Sequence, residues 1–245
     1  MLTLKTCPVC DSYRIGEYKV VLSEGPIAEI FPGIKVDVAI ITRYFKCQDC
    51  HLIFQNPRLS DSELDLYYGQ GHYRRTINPP TGGMDAAEAN RAKIDTEIIK
   101  KHVDKVTSHL DIGCGLGYLL DAIGADIKVG VESDVNYVKT KGIKVYKDIK
   151  EVPEEPFDLV TATHVLEHVP YPLAFLKKMT KFVKVGGYVL VEVPSWKTSG
   201  GLLGFAHLHY FETDVLKLMC IQVGLAVIDV EFTPHLVLIC KRSEK

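Results

Sequence analysis

Leu110-Asp111-Ile112-Gly113-Cys114-Gly115-Leu116-Gly117-Tyr118-Leu119-Leu120 decides how the rest of the chain is read. An apolar run closes on an acidic residue, three glycines alternate, and an apolar stretch resumes. That order predicts a strand, a tight turn and the start of a helix. Glycine lets the backbone turn through conformations closed to other residues and lets a ligand come close to it. Asp111 narrows the choice of ligand. A dinucleotide lays its pyrophosphate on a helix N-terminus, where positive potential holds it. A carboxylate in the turn opposes that anion and suits a phosphate-free nucleoside carrying positive charge. The spacing agrees, because the dinucleotide fingerprint needs a glycine at position 118, and Tyr118 stands there.

The run Asp-x-Gly-x-Gly-x-Gly from Asp111 to Gly117 resembles the first motif of the class I S-adenosylmethionine (SAM)-dependent methyltransferases. SAM has a sulfonium, an ammonium and a ribose, and no phosphate. The resemblance implies an α/β fold with a Rossmann-like sheet, mostly parallel with an antiparallel last strand. It also implies that Asp111, Gly113, Gly115 and Gly117 hold the cofactor. Ile127–Glu132 reads as the second strand, and Glu132 lies about twenty residues past the glycines, where a ribose-binding acid belongs. Gly142–Tyr146 reads as the third. By resemblance, Asp148 then sits beside the adenine amino group and Ile149 packs on its ring. Capping of the following turn is the other reading of Asp148. Thr163, at the end of the fourth strand, completes the expected cofactor set.

That fourth strand, Phe157–Thr163, runs into His164-Val165-Leu166-Glu167-His168-Val169-Pro170. Ligands in open parallel sheets lie beyond the carboxyl ends of the strands. His164, Glu167 and His168 are therefore the candidates to face the reacting methyl group. Offsets of three and four put them on one face if the segment is helical. His-x-x-Glu-His is also an inverted zinc-protease pattern, but that motif needs a sustained helix, and here a strand precedes it and Pro170 follows. A Leu-Glu-His run at this place is similar to many methyltransferases of the class. A histidine titrating near neutrality suits proton removal from an acceptor. Either His168 or His164 is the expected base, with Glu167 orienting it or binding substrate. Lys184–Pro194 reads as a turn into the fifth strand. His207, His209 and Tyr210 precede the amphipathic run Thr213–Gly224, as either substrate contacts or a hydrophobic staple. Two antiparallel strands, Leu225–Glu231 and Leu236–Lys241, are expected to end the sheet.

Cys7-Pro-Val-Cys10 and Cys47-Gln-Asp-Cys50 form two C-x-x-C pairs. Four thiolates so arranged match a tetrahedral structural zinc site, with reduced, unligated cysteines or a rubredoxin-like iron site as the alternatives. A hairpin built from 18–22 and 36–45 brings the pairs together. Asp11 and His51 stand where zinc ribbons often have glycine, so each must accept a left-handed backbone. Cys114, Cys220 and Cys240 sit in apolar contexts and read as buried. Disulfides are not expected, given an odd cysteine count and no secretory signal. Asn56-Pro57-Arg58, the capping box Ser60/Glu63 and Tyr67-Tyr68 follow. This succession resembles methyltransferases with a zinc-binding amino-terminal domain, some of which act on nucleotide-linked sugars or other small polar metabolites. It implies substrate or cofactor contacts from Tyr68, His72 and Tyr73. Sugar C-methyltransferases of that type have a further large carboxyl-terminal domain, which does not follow here.

The expected organisation is a zinc ribbon over 1–58, a helical and aromatic linker over 59–84, and a methyltransferase domain over 85–245. Its leading activity is methyl transfer to a hydroxyl of a small polar acceptor such as a sugar or glycan. With a net charge of −2 and 29 basic against 31 acidic residues, the chain lacks the basic balance of an RNA partner. RNA methylation and a non-catalytic zinc-ribbon interaction protein remain the alternatives. No apolar run reaches membrane-span length, and a cytoplasmic location is expected.

Overall fold

A computed structural model describes residues 1–24, 39–69, 83–153, 155–195 and 206–243. These residues form eleven strands and five α-helices, joined by short 3₁₀ turns. The large sheet contains β4 (Ser108–Ile112), β5 (Ile127–Val131), β6 (Lys144–Tyr146), β7 (Phe157–Thr163), β8 (Val183–Val193), β10 (Leu225–Phe232) and β11 (Leu236–Arg242). Their order across the sheet is β10-β11-β8-β7-β4-β5-β6. β6, β5, β4, β7 and β8 run parallel, while β11 enters antiparallel to β8 and β10 antiparallel to β11. This is the Rossmann-like methyltransferase sheet expected from the glycine motif. The strand order reverses direction beside β4, so the carboxyl ends of β4, β5 and β7 open on one crevice.

Both faces of the sheet are covered, which is why its strands read as continuous apolar runs. Leu159, Leu190, Val237 and Ile239 on one face pack with Ala92, Ile98, Ile99 and Val103 of α2 (Gly83–His102). On the other face Leu110, Val160, Val191 and Leu238 join Leu176 and Met179 of α4 (Pro172–Met179) and Leu216 and Met219 of α5 (Thr213–Gln222). α3 (Tyr118–Ile123) follows the glycine turn directly. Pro172 starts α4 at a position where its missing N–H costs nothing.

A second sheet has the order β1-β2-β3-β9. β1 (Ile15–Glu24) and β2 (Ala39–Cys47) form the expected hairpin, with Ile15 opposite Cys47. β3 (Ile53–Gln55) adds to it, and β9 (His209–Tyr210) pairs with β3 through Ile53 and Phe54. The amino-terminal sheet thus takes its fourth strand from the far end of the chain. Its interior also merges with the main core, because Cys7, Cys47, Leu52 and Phe54 belong to the cluster that holds Leu110 and Val160. α1 (Asp61–Gly69) begins at the predicted capping box, where Glu63 Oε2 accepts from Ser60 N at 2.8 Å and Ser60 Oγ at 2.7 Å. No helix among the described residues is long and apolar enough to cross a membrane.

Candidate functional site

The three glycines of the turn all adopt left-handed backbones, with φ of 75° at Gly113, 54° at Gly115 and 89° at Gly117. Space demands glycine as well. A Cβ on Gly115 would meet Glu88 Oε2 at 2.6 Å, and one on Gly117 would meet Ile143 Cδ1 at 2.7 Å. Gly113 N and Cys114 N both donate to Val131 O, at 2.8 and 3.0 Å, which ties the turn to β5. Beside it opens a cleft of about 880 Å³. Asp111, Gly113, Gly115, Glu132, Asp148, Ile149, Thr163, His164, His168 and Tyr68 all line it. Gly117 does not line it; it caps α3 with a left-handed backbone.

Asp111 lines the cleft and is also tied into the sheet. It is buried at the end of β4, and Thr161 Oγ1 donates to its Oδ1 at 2.6 Å. His109 Nε2 lies 2.8 Å from the same hydroxyl, so its N–H is the donor there. Burial pushes the Asp111 carboxyl up to about 7, against the pull of Thr161. Further carboxyl groups lining the cleft are Glu132 and two residues the motif reading missed, Glu88 and Asp95 of α2; burial also pushes the Asp95 carboxyl up, to about 6. Glu132 Oε2 accepts from Gly115 N at 3.2 Å, and Glu88 Oε2 accepts from Leu116 N at 3.1 Å. Arg91 also lines the cleft from the same helix. Glu88, Arg91 and Asp95 recur at offsets of three and four. That face was visible in the sequence but hidden in a helix charged throughout. Asp148 both lines the cleft and caps the turn after β6, accepting from Lys150 N at 2.8 Å.

The segment after β7 is a tight turn, where a helix would have put its three polar residues on one face. His164 takes a left-handed φ of 54°, and His168 N donates to Val165 O at 2.9 Å. The turn still gathers the three side chains. Glu167 is 0% exposed, and its Oε1 lies 3.2 Å from His164 Nδ1 and 3.7 Å from His168 Nε2. His168 Nδ1 stands 2.8 Å from Ala206 O, a carbonyl that can only accept. The proton is therefore on Nδ1, and Nε2 holds the lone pair. Tyr68 OH approaches the same Nδ1 at 3.1 Å. Burial lowers His168 to about 4, against the pull of Glu167, and burial lowers His164 to about 3 with help from Arg91. Neither therefore titrates near neutrality, as the base was expected to, because burial disfavours the charged ring; both imidazoles are uncharged at physiological pH.

His207 packs its ring 4.9 Å from that of His168. Tyr210 is buried against Tyr44 and holds His207 Nδ1 through its hydroxyl at 3.0 Å. His209 is buried in β9 away from the cleft. His72 and Tyr73 lie outside the described residues. At the other end of the small sheet, the four cysteine sulfurs lie within 4.8 Å of one another. Cys7 and Cys50 sulfurs are 3.5 Å apart, and those of Cys10 and Cys47 are 3.6 Å apart. A tetrahedral ion with bonds of about 2.3 Å to sulfur separates its ligands by roughly 3.8 Å, so the cluster fits one. Asp11 at φ 56° and His51 at φ 65° take the left-handed backbones that the knuckle turns require.

Comparison with known proteins agrees with this geometry. A family model described as a methyltransferase domain matches residues 51–230. The chain belongs to that family. It is a methyltransferase domain of the SAM-dependent class. A ubiquinone biosynthesis O-methyltransferase of Thiobacillus denitrificans is 29% identical over 126 residues, which are 45% of this chain and 52% of that protein. The chain thus spans about half the length of the curated relative it matches. Among solved structures, the 1,6-didemethyltoxoflavin N1-methyltransferase of Burkholderia thailandensis, with S-adenosylhomocysteine bound, superposes with a TM-score of 0.60 at 14% identity, covering 80% of this chain and 98% of that one. The magnesium protoporphyrin IX methyltransferase of Synechocystis, with SAM bound, gives a TM-score of 0.56 at 15% identity, covering 77% and 100%. At such identities these two share the fold.

Proposed function

We propose that this protein methylates a hydroxyl oxygen of a small polar molecule held in the cleft beside His164 and His168. The sugar or related metabolite expected from the sequence stands as one acceptor class within that reading. SAM supplies an electrophilic methyl group on a sulfonium. The cradle suited to it is the left-handed glycine turn, with Glu132 placed for the ribose hydroxyls and Arg91 for the amino-acid carboxylate. Asp148 and Ile149 take the adenine side.

The observation that carries the reading is the state of His168. Its Nδ1–H is committed to the Ala206 carbonyl, and Nε2, on the side of Glu167, is the ring nitrogen that takes the acceptor's hydroxyl proton as the oxygen–carbon bond forms and the sulfur–carbon bond breaks. Glu167, between the two imidazoles, stabilises the charge that then develops on the ring. In-line positioning supplies most of the remaining acceleration, since the donor is already activated. The name of the Thiobacillus denitrificans relative favours oxygen as the acceptor atom. A single zinc ion held by Cys7, Cys10, Cys47 and Cys50 is proposed as a structural element.

The test is mass-spectrometric methyl transfer from deuterium-labelled SAM to a panel of sugars, nucleotide-linked sugars, phenols and RNA. His168→Gln is expected to lower kcat about 100-fold or more, within the usual range for a general base, while binding S-adenosylhomocysteine as before. Unchanged turnover in that variant, or labelling of RNA alone, overturns the reading.

A further inference from the structure

A second cluster lies behind the catalytic turn, where the last residues of β7 and β8 meet the start of β11. Thr163 pairs with Glu192 across β7 and β8, and Leu236 pairs with Val193 across β11 and β8. His164, Glu192 and His235 are therefore brought together by three strands far apart in sequence. His164 N also donates to Glu192 O at 2.9 Å. The two imidazole rings stand 4.3 Å apart at 88°. His164 Nε2 lies 3.8 Å from Glu192 Oε1, and one ligand atom from each of the three residues falls within 4.8 Å of the others.

Glu192 is 0% exposed, and no N–H or hydroxyl among the described residues donates to its oxygens; the group facing them is the buried carboxyl of Asp95. His164 Nε2 and His235 Nδ1 are buried there without a hydrogen bond as well. The cation beside them, Arg91, holds its Nε 3.9 Å from Glu192 Oε2, too far for a hydrogen bond. Burial, with Asp95 beside it, pushes the Glu192 carboxyl up to about 9, so the group holds a proton that a bound cation would displace.

We propose that His164, Glu192 and His235 bind one divalent transition-metal ion. Two neutral imidazoles and a carboxylate are the ligands of zinc, iron(II), manganese and cobalt, whereas magnesium and calcium prefer oxygen throughout. Metal–ligand bonds of about 2.0–2.2 Å let one ion bridge ligands roughly 4 Å apart, as His164 and Glu192 are. The ion would fix His164, which lines the cleft, from behind. The chain-adjacent pattern His164-x-x-Glu167-His168 is not this site. Glu167 faces the nitrogen of His164 opposite to the one that faces Glu192.

Metal content settles the matter independently of any acceptor. The full chain, stripped and titrated with Co²⁺, is expected to bind about two equivalents. One is accompanied by the near-ultraviolet thiolate-to-cobalt charge-transfer band of the cysteine cluster. The other lacks that band. Cys47→Ser should remove the first, and His235→Ala or Glu192→Gln the second with the thiolate band intact. One equivalent in the unaltered chain overturns the proposal. So do two equivalents in both His235→Ala and Glu192→Gln, which would place the second ion elsewhere, for instance on Glu167, His168 and His207. If one variant fails to fold, the titration of the unaltered chain and the other variant decide. A single equivalent there would leave the Glu192 charge to be settled by a proton shared with neighbouring Asp95.

Discussion

Gly113→Ala offers the sharpest test of how the cofactor turn and the catalytic turn are joined. Gly113 has φ of 75°, where an L-residue pays about 1–2 kcal/mol. The added Cβ would also stand 3.7 Å from Val165 Cβ and overlap Val165 Cγ2, well inside the 3.0 Å below which such atoms do not approach. Overpacking of this kind costs about 1–3 kcal/mol. Together they make about 2–5 kcal/mol, a large share of the roughly 5–15 kcal/mol that holds a domain folded. Val165→Ala removes the methyl that is struck and leaves the backbone term untouched. The pair should therefore show a coupling of about 1–3 kcal/mol in the favourable direction. Because Gly113 N is pinned to Val131 O at 2.8 Å, the strain goes into the turn that carries His164 and His168. Urea unfolding of the four proteins reads the stability cycle, and calorimetric titration with S-adenosylhomocysteine reads the site. Additivity of the two substitutions within about 0.5 kcal/mol would refute the claimed contact.

Asp158 accepts from Thr107 N at 3.0 Å, Ser108 N at 2.9 Å, Lys184 Nζ at 2.6 Å and the Thr107 hydroxyl. Burial pushes its carboxyl up, but the Lys184 ammonium and these donors outweigh burial and hold it below the ordinary range. Its contribution is therefore present above the unfolded carboxyl pKa of about 3.9 and is lost as pH falls through the lower folded value. Asp158→Asn should cost about 1.5–3 kcal/mol at neutral pH and flatten the acid limb of a urea-midpoint profile; a profile identical to that of the unaltered chain counts against this. Removing the ion proposed at the four cysteines, by chelation or Cys47→Ser, should lower the melting temperature of the whole chain in one transition, because the cysteines belong to the common core. Two separated calorimetric transitions would contradict it.

What the sequence disclosed is what local rules govern. Glycine at 113, 115 and 117 is demanded by the backbone, and the apolar runs of β4, β7 and β8 are demanded by burial on both faces, so these were legible. Three features depended on distant parts of the chain and were not. Asp111 lines the cleft as its place in the motif implies, but nothing beside it in sequence announces Thr161 and the burial that raises its pKa. His164–His168 was given a shared face only on the condition of a helix, and the turn that gathers these residues instead was not legible, because a left-handed histidine gives no signal in residue type. Glu192 and His235 drew no attention at all, because each becomes notable only beside the other and beside His164.

The largest gap concerns the small sheet, and it bears on function. Read as a separate ribbon, its task ends at its cysteines. Folded, it grips the strand that braces the proposed base. Tyr44 OH and Gln55 Nε2 donate to His207 O at 3.2 and 2.9 Å, and Gln55 N donates to Leu208 O at 2.9 Å. Leu208 N then donates to Glu167 O at 2.8 Å, and Ala206 O takes the Nδ1 proton of His168. Tyr210, read from the sequence as either a substrate contact or part of a staple, pairs with Ile53 in β9 and holds His207. A hydrogen-bonded path therefore runs from the edge of β3 to Glu167 and His168. The cysteine cluster fixes the far end of that same sheet. The amino-terminal sheet thus holds β9 and the His207–Leu208 segment before it by hydrogen bonds, next to the Ala206 carbonyl that takes the His168 Nδ1 proton.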